Sequence, residues 1–154
     1  MNEPQLSTIP DEIISNKIYL IREKKIMLDK DLALLYGVTT GNLNKAVKRN
    51  LKRFPGDFMF QLTKPEFKNL IFQSGISSWG GTRSLPYAFT EQGVAMLSGI
   101  LNSERAIHVN IQIMRIFTKL REMLVENLSL RLDIEAIKKK LANQDKSIEL
   151  VINC

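Results

Sequence analysis

Residues 29–49 read DKDLALLYGVTTGNLNKAVKR. Asp29 can accept a hydrogen bond from a first-turn amide, and Leu32, Leu35 and Tyr36 then mark one side of a short helix. Gly37 suits the left-handed position at which a helix ends. Thr39 or Thr40 can cap a second helix running to about Asn50, with Leu43, Ala46, Val47 and Leu51 at three- and four-residue spacing on its buried side. Ala33, Gly37, Val38, Leu43 and Val47 together fit a helix-turn-helix. A small residue sits where the helices cross, a glycine makes the turn, and three apolar residues anchor the second helix.

The outer side of that second helix then displays Thr40, Asn44, Lys45, Lys48 and Arg49, with Thr39 and Asn42 near its start. Such residues suit a duplex groove, because amides pair with base edges while Lys and Arg pair with phosphate or guanine. Lys52 and Arg53 extend the positive strip past the helix end. The same residues also fit a plain solvated helix, whose macrodipole favours basic groups near its C-terminus without any ligand.

The distribution of charge separates these readings better than its total. The chain has 154 residues and a net charge of +6. Residues 17–53 hold ten basic side chains against Glu23, Asp29 and Asp31, whereas residues 54–112 balance. The positive charge therefore coincides with the proposed reading helix, and a polyanion is the expected partner. At 44 % hydrophobic and 25 % charged residues the chain is neither disordered nor membrane-like, and no apolar run reaches about 18 residues, so no membrane partner is expected. Glu3, Asp11 and Glu12 precede any apolar stretch, the reverse of a secretory signal, so a reducing cytoplasm is expected.

Outside residues 29–49, residues 1–12 read as a loose lead-in. Residues 17–22 and 26–28 suggest a small hairpin, turning at Glu23-Lys24-Lys25. Phe58, Phe60 and Leu62 alternate with polar or thioether neighbours as a strand does. Thr63-Lys64-Pro65-Glu66 has the form of a helix start, with Phe67, Leu70 and Ile71 following. Residues 74–84, rich in Gly and Ser, read as an exposed loop whose Arg83 could reach a phosphate or a minor groove. Residues 85–89 read as a strand that Pro86 confines to an edge or to a strand start. Thr90 caps a helix through Leu101, and Ser103 caps the next.

That last helix carries a seven-residue repeat. Ile113, Leu120, Asn127, Ile134, Leu141 and Ile148 occupy a positions, and Ile116, Met123, Leu130, Ile137, Gln144 and Val151 occupy d positions. Only Asn127 and Gln144 break the apolar seam, which argues for a coiled coil. Asn127 at an a position suits a parallel homodimer, since it can bond its counterpart across the seam. The expected organisation is a lead-in over 1–12, a DNA-binding domain over 13–112 and a coiled-coil helix over 113–154.

Nothing points to catalysis, and no enzyme, cofactor or metal is expected. His108 is the one histidine and Cys154 the one cysteine, which excludes a disulfide framework and leaves no material for a zinc cluster. Gly80-Gly81-Thr82-Arg83 lacks the lysine of a nucleotide-binding loop.

Several stretches occur together and in order: Asn16-Lys17-Ile18-Tyr19, Met27-Leu28-Asp29-Lys30-Asp31-Leu32-Ala33, Asn50 to Thr63 (NLKRFPGDFMFQLT), Ser77 to Arg83 (SSWGGTR), Leu85 to Leu97 (LPYAFTEQGVAML) and Asn110-Ile111-Gln112-Ile113-Met114-Arg115. In these the chain resembles, over residues 10–124, the phage-type "open reading frame six, N-terminal" DNA-binding domain family. That family is related to the KilA-N domains of phage antirepressor-like proteins and bacterial prophage regions. The resemblance implies an α+β, DNA-binding domain with a variable C-terminal part. The resulting expectation is a helix-rich α+β fold: a small helix-turn-helix domain with short β-hairpins, then a long C-terminal helix. Its expected partners are double-stranded DNA and a second copy, with a repressor or host protein, as for an antirepressor, the alternative to DNA.

Overall fold

The computed structural model describes residues 9–74 and 84–152, with side chains described as far as residue 143 in the last helix. Among these residues it is an α+β protein of six α-helices and one four-stranded antiparallel sheet. In chain order the elements are α1 (Asp11–Ser15), β1 (Ile18–Ile21), β2 (Lys24–Leu28), α2 (Asp29–Tyr36), α3 (Thr40–Arg49), a 3-10 turn (Leu51–Arg53), β3 (Met59–Gln61), α4 (Lys64–Ser74), β4 (Tyr87–Thr90), α5 (Glu91–Leu97) and α6 (Glu104–Ile152). The chain divides into two compact units, Met1–Ile116 and Phe117–Cys154. The first extends past the boundary at residue 112 read from the sequence.

The sheet runs β1-β2-β4-β3, so β4 is inserted between β2 and β3. It pairs Met27 with Phe89 on one side and Met59 with Phe89 on the other. Of the two places allowed to Pro86, the strand start is the one occupied; it precedes a central strand and not an edge one. Ile26, Met27 and Leu28 are consecutive and all fully buried, which requires apolar cover on both faces of β2. Ile26, Leu28, Ala88 and Leu62 share one cluster with Leu70, Phe67 and Ile71 of α4. The Phe54 ring packs edge-on against Phe89, with centroids 5.9 Å apart.

The β1–β2 turn is formed by Arg22 and Glu23, one residue earlier than the sequence suggested. Both have positive φ (54° and 63°), as a two-residue hairpin loop with the strands' own twist requires. Neither is glycine, so the turn carries strain, and Arg22 is fastened from outside it. Its guanidinium donates to both Glu66 oxygens (2.7 and 3.0 Å) and lies 4.2 Å from the centre of the Phe60 ring. Glu66 also closes a reciprocal cap at the start of α4, accepting from Thr63 N–H while its own N–H donates to Thr63 Oγ1. The expected helix start at Thr63 thus forms, and it secures the hairpin as well.

Two local expectations need correction. The lead-in is not loose throughout: α1 begins at Asp11, Ile14 is fully buried, and Gln112 Nε2 donates to Ile9 C=O and to Asp11 Oδ1. The helix capped by Thr90 ends at Leu97 and not at Leu101, and turns carry the chain to Ser103. Both expected caps are present, Thr90 Oγ1 accepting from Gly93 N–H (3.4 Å) and Ser103 Oγ from Ala106 N–H (3.1 Å).

Gly93 is required by space. A Cβ there would lie 2.1 Å from the carbonyl oxygen of Phe58. Gly93→Ala is expected to cost about 3 kcal/mol in urea denaturation, whereas Gly41→Ala, whose Cβ meets nothing, should stabilise α3 by up to about 1 kcal/mol. A second expectation concerns pH. The Arg22 hydrogen bonds pull the Glu66 carboxyl down to about 2 from its ordinary 4.5. The folded-state value is the lower one, so the stability it contributes is present above about pH 4.5 and is lost as pH falls towards 2. Glu66→Gln should therefore lower the thermal midpoint at neutral pH, and the gap to the unsubstituted protein should narrow below about pH 4.5 and close only below about pH 2.

Candidate nucleic-acid interface

The α2 and α3 helices are joined by residues 37–39. Gly37 has φ 73° and ψ 31°; its N–H donates to Leu34 C=O, and Val38 N–H donates to Ala33 C=O. This is the double hydrogen bond of a left-handed helix stop, as the glycine implied. Thr39 caps α3, its Oγ1 accepting from Asn42 N–H at 3.1 Å. Ala33, Leu43 and Val47 are buried, as their spacing required, whereas Val38 and Ala46 are half-buried and Leu51, expected on the same side, is exposed because it begins the 3-10 turn beyond α3.

The turn is held from a distance. Arg105, in the first turn of α6, donates from Nε to Leu35 C=O (3.1 Å), and its guanidinium packs 3.0 Å from where a Gly37 Cβ would be. The Tyr36 hydroxyl donates to Asn110 Oδ1 (3.2 Å), and Asn110 Nδ2 donates to Val94 C=O (3.0 Å). Burial raises the Tyr36 phenol pKa above its ordinary value, so it stays a donor. At the other end of α2, Asp31 is buried beside Lys17 Nζ at 3.6 Å. Burial pushes its carboxyl up, with Lys17 opposing. Arg105 and Asn110 carried no signal in the sequence as positioning residues, because their targets lie more than fifteen residues away along the chain.

The expected contact residues divide into three groups. Lys45, Lys48 and Arg49 are exposed on α3, as are Gly41 and Asn42. At 100° per residue these five fall within an arc of roughly 120°, opposite Leu43 and Val47. Lys52 and Arg53 are exposed on the 3-10 turn that follows, and Thr39 is exposed at the cap. Thr40 is half-buried. Asn44 differs from the expectation of a freely displayed amide. It is half-buried, and its Nδ2 donates to Asp29 Oδ2 at 3.1 Å. Asp29 does not act as the N-cap; that position is Leu28, and the Asp29 carboxylate joins α2 to α3 while its Oδ1 accepts from Lys30 N–H. Arg83 lies outside the described residues.

The ORF6N domain family matches residues 16–100 of this chain. The chain belongs to the ORF6N family. Both helices of the α2–α3 pair, the whole sheet and α5 fall inside the ORF6N match, while Arg105 and Asn110 lie beyond it. No curated protein and no solved structure matches the chain. Among the described residues no helix is long and apolar enough to cross a membrane, and no three His, Cys, Asp or Glu side chains gather as a metal set.

The seam expected along α6 also divides. Ile113 and Ile116 are buried, at 0 % and 4 % exposure, within the first unit. They are core residues of the ORF6N-containing unit and are unavailable for dimerisation, a correction to the expected seam. Leu120 is half-buried, and every residue from Arg121 to Asn143 is exposed, including Met123, Asn127, Leu130, Ile134, Ile137 and Leu141. Ile148 and Val151 lie where side chains are outside the described residues.

Asn44→Ala should lower unfolding stability by roughly 1–2 kcal/mol, because Asp29 would keep a buried oxygen without its donor. Urea denaturation checks this, and an unchanged midpoint would remove Asn44 from the α2–α3 contact.

Proposed function

We propose that this ORF6N protein is a non-enzymatic, sequence-preferring binder of double-stranded DNA, a phage- or prophage-type transcriptional regulator working in the cytoplasm. In this reading α2 and α3 form a helix-turn-helix and α3 is the reading helix. The observation that carries it is the coincidence of charge and form. Lys45, Lys48 and Arg49 share one exposed arc of α3, and Lys52 and Arg53 continue it. A strip of this kind offers cations to duplex phosphates, while Asn42 and Thr39 offer polar groups to base edges. Asn44 contributes by fixing the tilt of α3 through Asp29. The protein acts as a dimer through α6, so its DNA site holds two half-sites.

Five basic groups per domain on phosphate give a log–log salt slope of about −4 to −5 in a gel-shift series. A flat series would overturn the reading. Lys45→Glu and Lys48→Glu should each weaken binding to every duplex by roughly tenfold at fixed salt, with the fold unchanged by circular dichroism. Capture of a repressor or host protein, without retention on DNA or heparin, would favour the antirepressor alternative.

A further inference from the structure

The exposed part of α6 holds more information than its apolar stripe. We propose that residues 120–141 form a parallel, in-register, two-stranded coiled coil with a second copy of this chain. The proposal rests on the dimeric reading above and adds the bounds of the coil, its register and the flanking charges that set its direction.

Three observations carry it. First, Met123, Leu130, Ile134, Ile137 and Leu141 are between 43 % and 58 % exposed, and together with Leu120 they keep one seven-residue frame. An apolar seam of this length needs a covering surface. A second exposed stripe, Leu124, Val125, Leu128 and Leu132, is confined to residues 124–132 and does not follow the repeat. Second, Asn127 is exposed at an a position. In a parallel, in-register pair it faces Asn127 of the second copy and the two amides bond each other. In an antiparallel pair a positions face d positions, so Asn127 would be buried against Met123, Leu130 or Ile137 with no polar partner.

Third, the charges flanking the seam are self-complementary in one direction only. The g positions Glu126 and Asp133 precede the e positions Arg131 and Lys138 by five residues. In a parallel pair g meets the following e of the other strand, which sets Glu126 against Arg131 and Asp133 against Lys138, each twice. An antiparallel pair brings e to e, and sets Arg131 and Lys138 among their own kind.

The test uses the full chain with Cys154→Ser, so that added cysteines are the only thiols. Its mass in solution should be that of a dimer. Leu120→Cys and Ile137→Cys variants should each form a symmetric disulfide, and an equilibrated mixture of the two should yield no 120–137 cross-link. Glu126→Lys or Arg131→Glu alone should raise the dissociation constant about tenfold, and the two together should restore it. A monomer mass would overturn both this proposal and the dimeric reading. A dimer whose mixed variants cross-link 120 to 137 would overturn only the parallel direction. A trimer or tetramer mass would overturn the two-stranded count.

Discussion

A single buried amide joins the helices that position the basic strip. Asn110 of α6 accepts from the Tyr36 hydroxyl at the end of α2 and donates to the Val94 carbonyl in α5. It is 4 % exposed, so neither bond can be exchanged for one to water without opening the core. Hydrophobic contact alone would let α2 slide, because apolar surfaces are non-directional. The Asn110 bonds are directional, and with Arg105 on the Leu35 carbonyl they locate the end of α2 and hence the turn at Gly37.

From that point a short lever reaches the surface. Gly37 reverses the chain, Thr39 caps α3, and Asp29 holds Asn44 from the opposite end of α2. The α3 helix is thereby held at its start and its middle against a partner whose own C-terminal end is anchored. Its exposed arc of cations is consequently carried on a backbone of fixed position. The sheet serves the same purpose from beneath: inserting β4 between β2 and β3 lets the chain return from α4 and deliver α5, whose Val94 carbonyl the anchor uses.

The side chains of the α6 helix meet two environments along its length. Its first turns are core, with Ala106, Val109, Ile113 and Ile116 buried. From Arg121 to Asn143 the same periodicity continues with the side chains in solvent. A heptad repeat records which residues share a face and not what covers that face, so Ile113 and Ile116 read from the sequence like any other seam residue. Only the packing of the ORF6N-containing unit distinguishes them.

What could be read from the chain alone was what is settled within about four residues. The helix stop at Gly37, the caps at Thr39, Thr90 and Ser103, the start of α4 at Thr63 and the buried spacing of Leu43 and Val47 all follow from local hydrogen bonds and helical periodicity. So did the concentration of positive charge on one side of α3, since a helix fixes which residues share a face. The tertiary structure decided the rest: the insertion of β4, the hold of Arg105 and Asn110 on α2, the pairing of Asn44 with Asp29, and the burial of Ile113. Each of these joins groups distant in sequence. A polar side chain such as Asn44 looks the same in the sequence whether it faces solvent or a buried carboxylate, and only the folded neighbours determine which.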